Sequence, residues 1–405
     1  MLRAQAYEDV ADVSGVEEGI VSAEVDVAPA ILDWAVARGD TPMSEVRRKH
    51  PAFDRWRTGA ALPTLPQLEA FARTTNTPVG FLLLDEPPEE SVPMADFRVR
   101  AGGRAIRKSA NLLDQVYLCE RRQAWYADYA ADMGYDPVAL VASMSTQTPI
   151  EDAATRIRHD LGIKQGFARR LQDQGDMVSA LAQRAEDLGV LVMISGVQGY
   201  NTRRKLDPEE FSGFSLADRL APLIFINGAD TKRAQAFTLV HELAHLYLGV
   251  SALSHVEPDD FDVHGHEEWC NKVAAFVLVD ERELRAAMPT VGPFPEQLEF
   301  LWREFKVSTL VLLRRMLEVG ILTRDQFFPA YAEEVERLRS LPKRATKGGG
   351  DFKNTAPVRA SKRFTRAILR STFEGGTLYR DAFAMLGTHK TSSLRALADY
   401  MGIGG

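Results

Sequence analysis

The sequence predicts an α+β protein that is mainly helical, with a small antiparallel sheet and a separate helical bundle near the N-terminus. Most segments repeat apolar residues with the period of an amphipathic helix. Two short β-prone runs, at 210–218 and 222–228, are separated by a polar turn and precede an apolar helix. The paired prolines Pro87 and Pro88 indicate a domain edge after the first helical bundle.

Composition places the chain among globular proteins. Its 405 residues suffice for two or three domains, and 45% of them are hydrophobic and 26% are charged. The net charge of −7 argues against a molecule that binds polyanions with its whole surface. The two cysteines, Cys119 and Cys270, exclude a disulfide framework and favour a reducing compartment. The sequence shows neither a signal-peptide pattern nor an apolar run of membrane-spanning length, so we expect a cytoplasmic protein.

Residues 28–90 are predicted to form a compact helical bundle. Four short helical patterns follow one another there. Gly39 and Gly59 end the first and third patterns, and Thr64 is placed to cap the fourth. The preceding residues, 1–27, are polar and acidic and are typical of a flexible arm.

Helical patterns also dominate the centre of the chain. A connector at 91–165 contains a long amphipathic pattern at 109–134 and a shorter one after it. Within the next unit, 166–336, a helix leads into a strand at 190–195, and the two β-prone runs follow. After the polar, loop-like segment 250–266, helical patterns resume.

The C-terminal segment 337–405 is predicted to be a basic linker followed by a small helical module. Between residues 337 and 370 the only acid is Asp351. The bases there are Arg337, Arg339, Lys343, Arg344, Lys347, Lys353, Arg359, Lys362, Arg363, Arg366 and Arg370. Such a segment is suited to wrapping an acidic protein or contacting nucleic acid, and the alternative is a solvated linker.

The stretch FTLVHELAHLYLG, residues 237–249, places two histidines and a glutamate in an apolar helix. Burying such groups is costly unless something satisfies them. His241 and His245 are one turn apart and share a face, and Glu242 projects about 100° further round the helix. This H-E-x-x-H spacing is that of two zinc ligands and a general base. The alternative is a chance match of three polar residues.

A catalytic zinc site needs a third protein ligand and one open position. The candidates after the motif are His255, Asp259, Asp260, Asp262, His264, His266, Glu267 and Glu268. A rigid ligand needs a rigid carrier, which favours the residues that begin the next helix. Glu267 shares a helix face with Asn271 and Ala274, whereas Glu268 is typical of a solvated acid in a first turn. The packing argument therefore favours Glu267.

The motif stretch followed by EEWCNKVAAFVLV, residues 267–279, resembles the ImmA/IrrE family of metallopeptidases. That family has H-E-x-x-H and then E-x-x-A/C-N-x-x-A-A-x-x-L, a pattern filled here by Glu267, Cys270, Asn271, Ala274, Ala275 and Leu278. The usual proline after this pattern is replaced by Asp280. The resemblance covers about 170–290. It implies zinc held by His241, His245 and Glu267, with Glu242 as the catalytic base.

Residues 28–90 resemble the Xre-type helix-turn-helix domain that is often fused before this peptidase. Trp56, Gly59 and Pro63 match its W-x-x-G-x-x-x-P stretch. The residues at 47–56 leave almost no turn and a very short recognition helix. The bases suited to phosphate contacts are Arg47, Arg48, Lys49, Arg55 and Arg57. We expect weak DNA binding with a steep salt dependence; the alternative is a degenerate domain kept for packing or partner binding.

The tail from about residue 347 resembles the C-terminal extension of long Xre–peptidase fusions. Some fusions of this type are encoded beside a PIN-like ribonuclease toxin and act as its antitoxin. The resemblance therefore implies a protein partner or substrate, such as a toxin encoded by an adjacent gene.

Three functions compete for this sequence. The first is a regulatory zinc metalloendopeptidase that acts on or controls one protein partner, with Glu242 moving the proton of water to the leaving amine. Its extended substrate would add as a strand to the run at 210–218 or 222–228, if that run forms the sheet edge. The second is an antitoxin that neutralises a PIN-like toxin by binding without proteolysis. The third is a DNA-binding transcriptional repressor. An intact Glu242 favours retained chemistry, since structural zinc does not need it.

Overall fold

The fold was analysed on a computed structural model, which describes residues 23–90, 92, 94–96, 108–254, 265–340 and 352–403. The chain forms two compact units, Met1–Glu90 and Ser91–Gly405. Most of the arm predicted at 1–27 lies outside the described residues, as does the part of the predicted basic linker at 341–351.

Four α-helices form the described part of the first unit, as the sequence predicts. They are α1 (Pro29–Arg38), α2 (Met43–Lys49), α3 (Phe53–Arg57) and α4 (Leu65–Thr75), and a 3-10 helix follows at Val79–Leu83. Thr64 caps α4 through a capping box with Gln67, which confirms the predicted cap. Aromatic side chains fill the core, with Phe53 stacked on Phe71 at a ring-centroid distance of 5.4 Å.

The second unit combines a five-stranded sheet with helices on both of its faces. The strands are β1 (Ala95–Asp96), β2 (Leu191–Ser195), β3 (Gly213–Leu216), β4 (Leu223–Asn227) and β5 (Ala252–Ser254). The helices are α5 (Ala110–Asp132), α6 (Ile150–Asp160), α7 (Gln174–Asp187), α8 (Lys232–Leu248), α9 (His266–Leu278), α10 (Glu281–Ala287), α11 (Phe294–Phe305), α12 (Thr309–Glu318), α13 (Arg324–Ser340), α14 (Phe352–Ala360), α15 (Lys362–Phe373), α16 (Tyr379–Leu386) and α17 (Thr391–Met401). This mainly helical composition beside a small sheet confirms the predicted α+β class.

The sheet is mixed, with the strand order β1-β5-β3-β4-β2. Its centre is antiparallel as predicted, because β3 pairs antiparallel with both β4 and β5. The outer pairs are parallel: β2 runs with β4, and β1 runs with β5. β2 and β4 point the same way because β3, which lies between them in sequence, reverses direction and pairs on the far side of β4.

The expectation that β3 or β4 forms the sheet edge is wrong. β4 lies between β3 and β2, and β3 lies between β4 and β5, so the backbone groups of both strands are already paired. The error arose mainly because β5 was missed. β5 falls in the segment 250–266, which looked like a loop, and its three residues are too few to show an alternating pattern. An extended substrate therefore cannot add to β3 or β4.

The strands are buried on both faces, and their side chains alternate between two cores. On β2, Val192 faces one core and Met193 the other; on β4, Ile224 and Phe225 divide in the same way. Helices α6 to α13 contribute to the first core, and α5 with α14 to α17 contribute to the second. The predicted C-terminal helical module thus covers one face of the sheet. The part of the predicted linker at 352–370 is helical, in α14 and α15.

Within the described ranges, no helix has both the length and the apolar content needed to cross a bilayer. Cys119 and Cys270 are free thiols in the two cores. Burial raises the pKa of the Cys119 thiol to about 11, so it stays protonated and behaves as an apolar core side chain.

Candidate metal centre

The motif helix α8 is fixed at both ends. Thr231 caps its N-terminus by accepting a hydrogen bond from the Ala234 amide, and Gly249 ends it in the left-handed conformation with φ 72°. A Cβ at Gly249 would lie 2.6 Å from that of Ala142, so space as well as conformation requires glycine there. Between these ends α8 packs against the sheet, α7 and α9, which buries most of its side chains.

Helices α8 and α9 bring the three predicted ligands together. The Nε2 atoms of His241 and His245 are 3.1 Å apart. Glu267, in the first turn of α9, places Oε2 3.2 Å from His241 Nε2 and Oε1 2.8 Å from His245 Nε2. Both histidines are fully buried, and Glu267 is 6% exposed. These three residues form a group suited to holding a metal ion.

The positions of these atoms fit a metal ion. Nitrogen and oxygen ligands about 2.0–2.1 Å from a tetrahedral ion lie about 3.3 Å from one another, close to the 2.8–3.2 Å separations of this cluster. In the part of the chain that the structure describes, Oε1 of Glu267 accepts no hydrogen bond, although His245 Nε2 lies 2.8 Å away. A bound cation would satisfy both atoms.

Glu242, the predicted general base, is fully buried between α8 and the sheet. The hydroxyls of Ser215 on β3 and Ser254 on β5 lie beside its carboxyl group, but neither donates with good geometry, and both carboxyl oxygens are orphaned among the described residues. Burial raises the pKa of Glu242 to about 8, against the opposing effect of His241. A buried carboxyl group that has no hydrogen-bond partner and lies next to two histidines supports a metal site. A polar ligand bound there would complete the hydrogen bonds of the carboxyl group.

Close packing of β3 against α8 places the two serines near Glu242. The strand alternates small residues, Gly213 and Ser215, with large apolar ones, and the small residues face the helix. A Cβ at Gly213 would lie 2.7 Å from the Thr238 methyl group, 2.8 Å from the Phe225 carbonyl oxygen and 3.4 Å from Glu242 Cγ. Glycine is therefore needed for the helix to lie this close to the sheet.

Asn271 is a further polar residue at the cluster. It lies one turn after Glu267 on α9 and is 8% exposed. Its side-chain amide lies beside the His241 ring and favours the protonated form of that ring. A polar group behind a ligating histidine can fix its orientation and tautomer, but among the described residues neither His241 Nδ1 nor Asn271 Oδ1 has a hydrogen-bond partner.

The charges of the cluster suit metal binding. Burial alone would raise the pKa of Glu267, but His241 and His245 outweigh it and hold that pKa well below its usual range. Burial lowers the pKa of His245, whereas Glu267 raises that of His241 in spite of burial. Glu267 is thus an anionic carboxylate and His245 a neutral imidazole, the forms that bind metals, whereas His241 has to release its proton when an ion binds.

The structure separates Glu267 from the other candidates for the third ligand. Glu268 is partly exposed and pairs with Lys272 at 2.7 Å. His266 is exposed at the start of α9 and is not part of the cluster. The candidates His255, Asp259, Asp260, Asp262 and His264 lie outside the described residues.

Three of the five bases predicted to contact DNA pair with acids of their own unit. The pairs are Arg47 with Asp54 at 2.9 Å, Lys49 with Glu45 at 2.8 Å and Arg57 with Asp33 at 2.8 Å. Arg48 and Arg55 are exposed on α2 and α3. Helix α3 has only five residues, too few to present several side chains to a groove. DNA binding by this unit stays a prediction.

Two parts of the chain match models of protein families. Residues 185–317, from the end of α7 through most of α12, match the IrrE N-terminal-like domain of the M78 peptidase model. This part of the chain resembles a metallopeptidase domain. The match contains His241, Glu242, His245 and Glu267 and supports the peptidase part of the resemblance, but it does not reach residues 28–90.

The second family match lies in the C-terminal module. Residues 360–400, which include α15, α16 and most of α17, match a domain of unknown function, DUF8813. Neither a curated protein nor a solved structure matches the chain.

The sequence reasoning missed the polar residues around the predicted ligands. For Ser215, the signal was present, because small residues at alternate positions of a strand indicate a face against which another element packs closely. Ser254 lies in the short strand that looked like a loop. Asn271 was placed on the ligand face of α9, but spacing alone gave it no role.

Proposed function

We propose that the chain is a regulatory zinc-dependent metallopeptidase that acts on, or controls, one specific protein partner. The observation that carries the proposal is the buried group of His241, His245 and Glu267 with Glu242 beside it. The match of 185–317 to the IrrE N-terminal-like domain supports it independently. Two imidazoles and a carboxylate, with a glutamate in addition, are the side chains of a catalytic zinc site.

Each residue has a distinct part in the proposed reaction. His241, His245 and Glu267 hold the ion, and zinc bound there supplies a Lewis acid for the scissile carbonyl group. Glu242 accepts the proton of the attacking water and passes it to the leaving amine. Asn271 lies beside His241, and the hydroxyls of Ser215 and Ser254 lie beside the Glu242 carboxyl group, so these three polar side chains surround the reacting residues.

The proposal is tested by the mass of the partner. The protein encoded by the neighbouring gene is co-expressed with wild type and with Glu242→Gln, and intact masses of the co-purified chains are measured. We expect the partner to be cleaved beside wild type and whole beside Glu242→Gln, with about one zinc per chain in both, because Glu242 is not a ligand. A partner that stays whole with zinc-loaded wild type contradicts proteolysis.

A second candidate function is neutralisation of a toxin-like partner by binding alone. It is favoured by the burial of the cluster, since His241, Glu242 and His245 have no exposed surface and Glu267 is 6% exposed. Closed sites of this kind are typical of structural zinc. In the same experiment, this function predicts that the partner stays whole and co-purifies equally with wild type and with Glu242→Gln. It also predicts that the partner's own activity is suppressed in both complexes.

A further inference from the structure

A cavity of about 350 Å³ opens between α5, α7 and α15 and shares no lining residue with the metal cluster. It is lined mainly by three tyrosines and three arginines: Tyr126, Tyr129, Tyr135, Arg363, Arg366 and Arg370. Its volume lies within the range of small-molecule sites. We call it the arginine–tyrosine cavity. Its arginines belong to the segment that matches the domain of unknown function.

The three arginines form one cationic wall. They follow one another on α15 at spacings of three and four residues, so their side chains share one face of the helix. Arg366 and Arg370 are exposed, and neither forms an ion pair or a hydrogen bond within the described part of the chain. Two guanidinium groups thus stand at the cavity with all their donors free.

The acids that line the same cavity are occupied elsewhere. Glu186, on α7, accepts hydrogen bonds from the Ser361 hydroxyl at 2.5 Å and from the Lys362 amide at 2.8 Å, and so caps the start of α15. Asp187 accepts from the Gln183 side chain at 3.0 Å. No carboxylate among the described residues forms an ion pair with the three arginines. The lining thus combines three arginines with two acids, and the arginines stand together on one wall.

The tyrosines add neutral donors and aromatic surface. The Tyr126 hydroxyl, on a side chain that is 2% exposed, accepts a hydrogen bond from Arg363 Nε at 2.7 Å. Burial raises the pKa of Tyr126 and of Tyr129, so both phenols stay protonated at neutral pH and can donate. The Tyr135 ring lies nearly perpendicular to that of Tyr129 at a centroid distance of 6.2 Å, and it is 42% exposed, so part of its surface is accessible to a planar group.

We propose that the arginine–tyrosine cavity binds a phosphorylated small molecule of about nucleotide size, with Arg363, Arg366 and Arg370 on its phosphate groups. A phosphate group carries close to two negative charges and several acceptor oxygens, which match a row of guanidinium forks. The phenol hydroxyls donate to the remaining oxygens, and the Tyr135 face takes a planar ring if the ligand has one. None of the residues that line this cavity takes part in the proposed peptidase reaction.

The test is isothermal titration of the zinc-loaded full chain with ADP and, separately, with inorganic pyrophosphate. We expect saturable binding of one molecule per chain. The double variant Arg366→Ala/Arg370→Ala should bind about 100-fold more weakly, since each arginine supplies charge-assisted hydrogen bonds worth about tenfold in affinity. The matched control Arg380→Ala/Arg395→Ala removes two exposed arginines of the same module that do not line the cavity, and it should bind as wild type does.

Folding and binding are kept apart by thermal melting. Arg366 and Arg370 are exposed, so the double variant without ligand should melt with wild type. Added ADP should raise the melting temperature of wild type and of the control but not of the double variant. Equal affinity for pyrophosphate and ADP assigns binding to the phosphates, and tighter binding of ADP assigns a share to the ring; both support the proposal.

Three results would overturn the proposal. The first is an absence of saturable binding of ADP and pyrophosphate at low-millimolar concentration. The second is an equal loss of affinity in the double variant and its control, which indicates diffuse charge attraction rather than a site. The third is binding only of a single-stranded oligonucleotide, sensitive to the double variant, which assigns the wall to a nucleic-acid backbone instead of a small molecule.

Discussion

Glu267 and Glu268 are neighbours in sequence with opposite surroundings. Glu267 is 6% exposed, and its carboxylate lies within 3.2 Å of two buried imidazoles. Glu268 is partly exposed and pairs with Lys272, one turn further along the helix. The side chains differ in position but not in chemistry, so they form a matched pair for identifying the third ligand.

Replacing each glutamate by alanine should separate the two roles. Glu267→Ala removes one of three protein ligands, so we expect the zinc content of the purified chain to fall from about one per chain to near zero. Glu268→Ala removes only an exposed ion pair and should leave the zinc content unchanged. Metal analysis of both proteins checks this, and the reverse result would reassign the ligand.

Tyr247 connects the motif helix to α6 through a single hydrogen bond. Its hydroxyl donates to Asp160 at 2.8 Å, and Arg156 also donates to that carboxylate. Burial alone would raise the pKa of Asp160, but these donors outweigh it and lower that pKa from its ordinary value. A lowered folded-state pKa contributes stability above the unfolded pKa, and this contribution is lost as the pH falls through the folded value.

Tyr247→Phe should therefore destabilise the protein in a pH-dependent way. We expect a loss of about 1–2 kcal/mol in the free energy of unfolding at neutral pH, and a smaller loss as the pH drops below about 4, where Asp160 is protonated in the unfolded chain. Urea unfolding across this pH range measures it, with Tyr400→Phe at an exposed tyrosine as the control. A loss that does not change with pH would show that packing, not the hydrogen bond, is responsible.

At the scale of elements, the contact between β3 and α8 determines where Glu242 lies. A Cβ at Gly213 would approach the Thr238 methyl group to 2.7 Å and the Phe225 carbonyl oxygen to 2.8 Å. Real Cβ atoms do not come this close to backbone, so the helix or the strand has to shift. Such a shift moves Glu242 and the two histidines that flank it on the same helix.

Gly213→Ala should lower both stability and metal content. We expect an overpacking cost of about 1–3 kcal/mol and a reduced zinc content, because the helix carries two of the three ligands. Gly80→Ala is the control, since a Cβ there meets nothing within 4 Å. Thermal melting and metal analysis give the two readouts. A Gly213→Ala protein with wild-type melting and full zinc content would show that the contact is not tight.

Sequence patterns predicted the elements whose signals are local. The cap at Thr64 and the helix end at Gly249 each follow from one residue and its neighbours. The short strands β1 and β5 were not predicted, because two or three residues are too few to show the alternation of apolar and polar side chains. The parallel pairing of β2 with β4 also escaped, since it depends on a distant strand. For the same reason, the positions of Ser215 and Ser254 beside Glu242 could not be read from spacing.

At the scale of the whole second unit, Arg122 ties α5 to the C-terminal module. The side chain is 1% exposed and donates to the carbonyl oxygens of Met385 at 2.8 Å and of Arg359 at 3.1 Å. Its guanidinium group also lies against the Tyr200 ring, 5.8 Å from the ring centroid. One buried guanidinium group thus donates hydrogen bonds to carbonyl oxygens near the ends of two helices, α14 and α16, that are far from Arg122 in sequence.

Arg122→Met should loosen the module from the sheet. The variant keeps much of the side-chain volume but leaves the two carbonyl oxygens without their donor, so we expect a loss of about 2–3 kcal/mol. Limited proteolysis should then cut the module faster than in wild type. Arg121→Met, at the exposed neighbouring position, is the control and should change neither readout. Equal protection in both variants would mean that apolar packing alone holds the module.

The division of the chain was only partly readable from the sequence. The paired prolines at 87 and 88 lie close to the boundary after Glu90. The segment predicted as a connector, 91–165, contributes α5 and α6 to the same compact unit as the sheet. A proline pair marks a domain boundary through the local sequence alone. The residues that α5 contacts, among them Met385 and Arg359, lie more than 200 positions away, so local sequence does not show which unit α5 belongs to.

Helix α7 contacts the motif helix and also lines the arginine–tyrosine cavity. On one side it packs against the motif helix α8, and on the other it supplies Gln183, Glu186 and Asp187 to the arginine–tyrosine cavity. Because α7 packs against the helix that carries two of the proposed metal ligands, a ligand that displaces α7 at the cavity couples the occupancies of the two sites. Thermodynamic reciprocity then sets a strict relation: by whatever factor an occupant of the cavity changes the affinity for zinc, zinc changes the affinity for that occupant by the same factor.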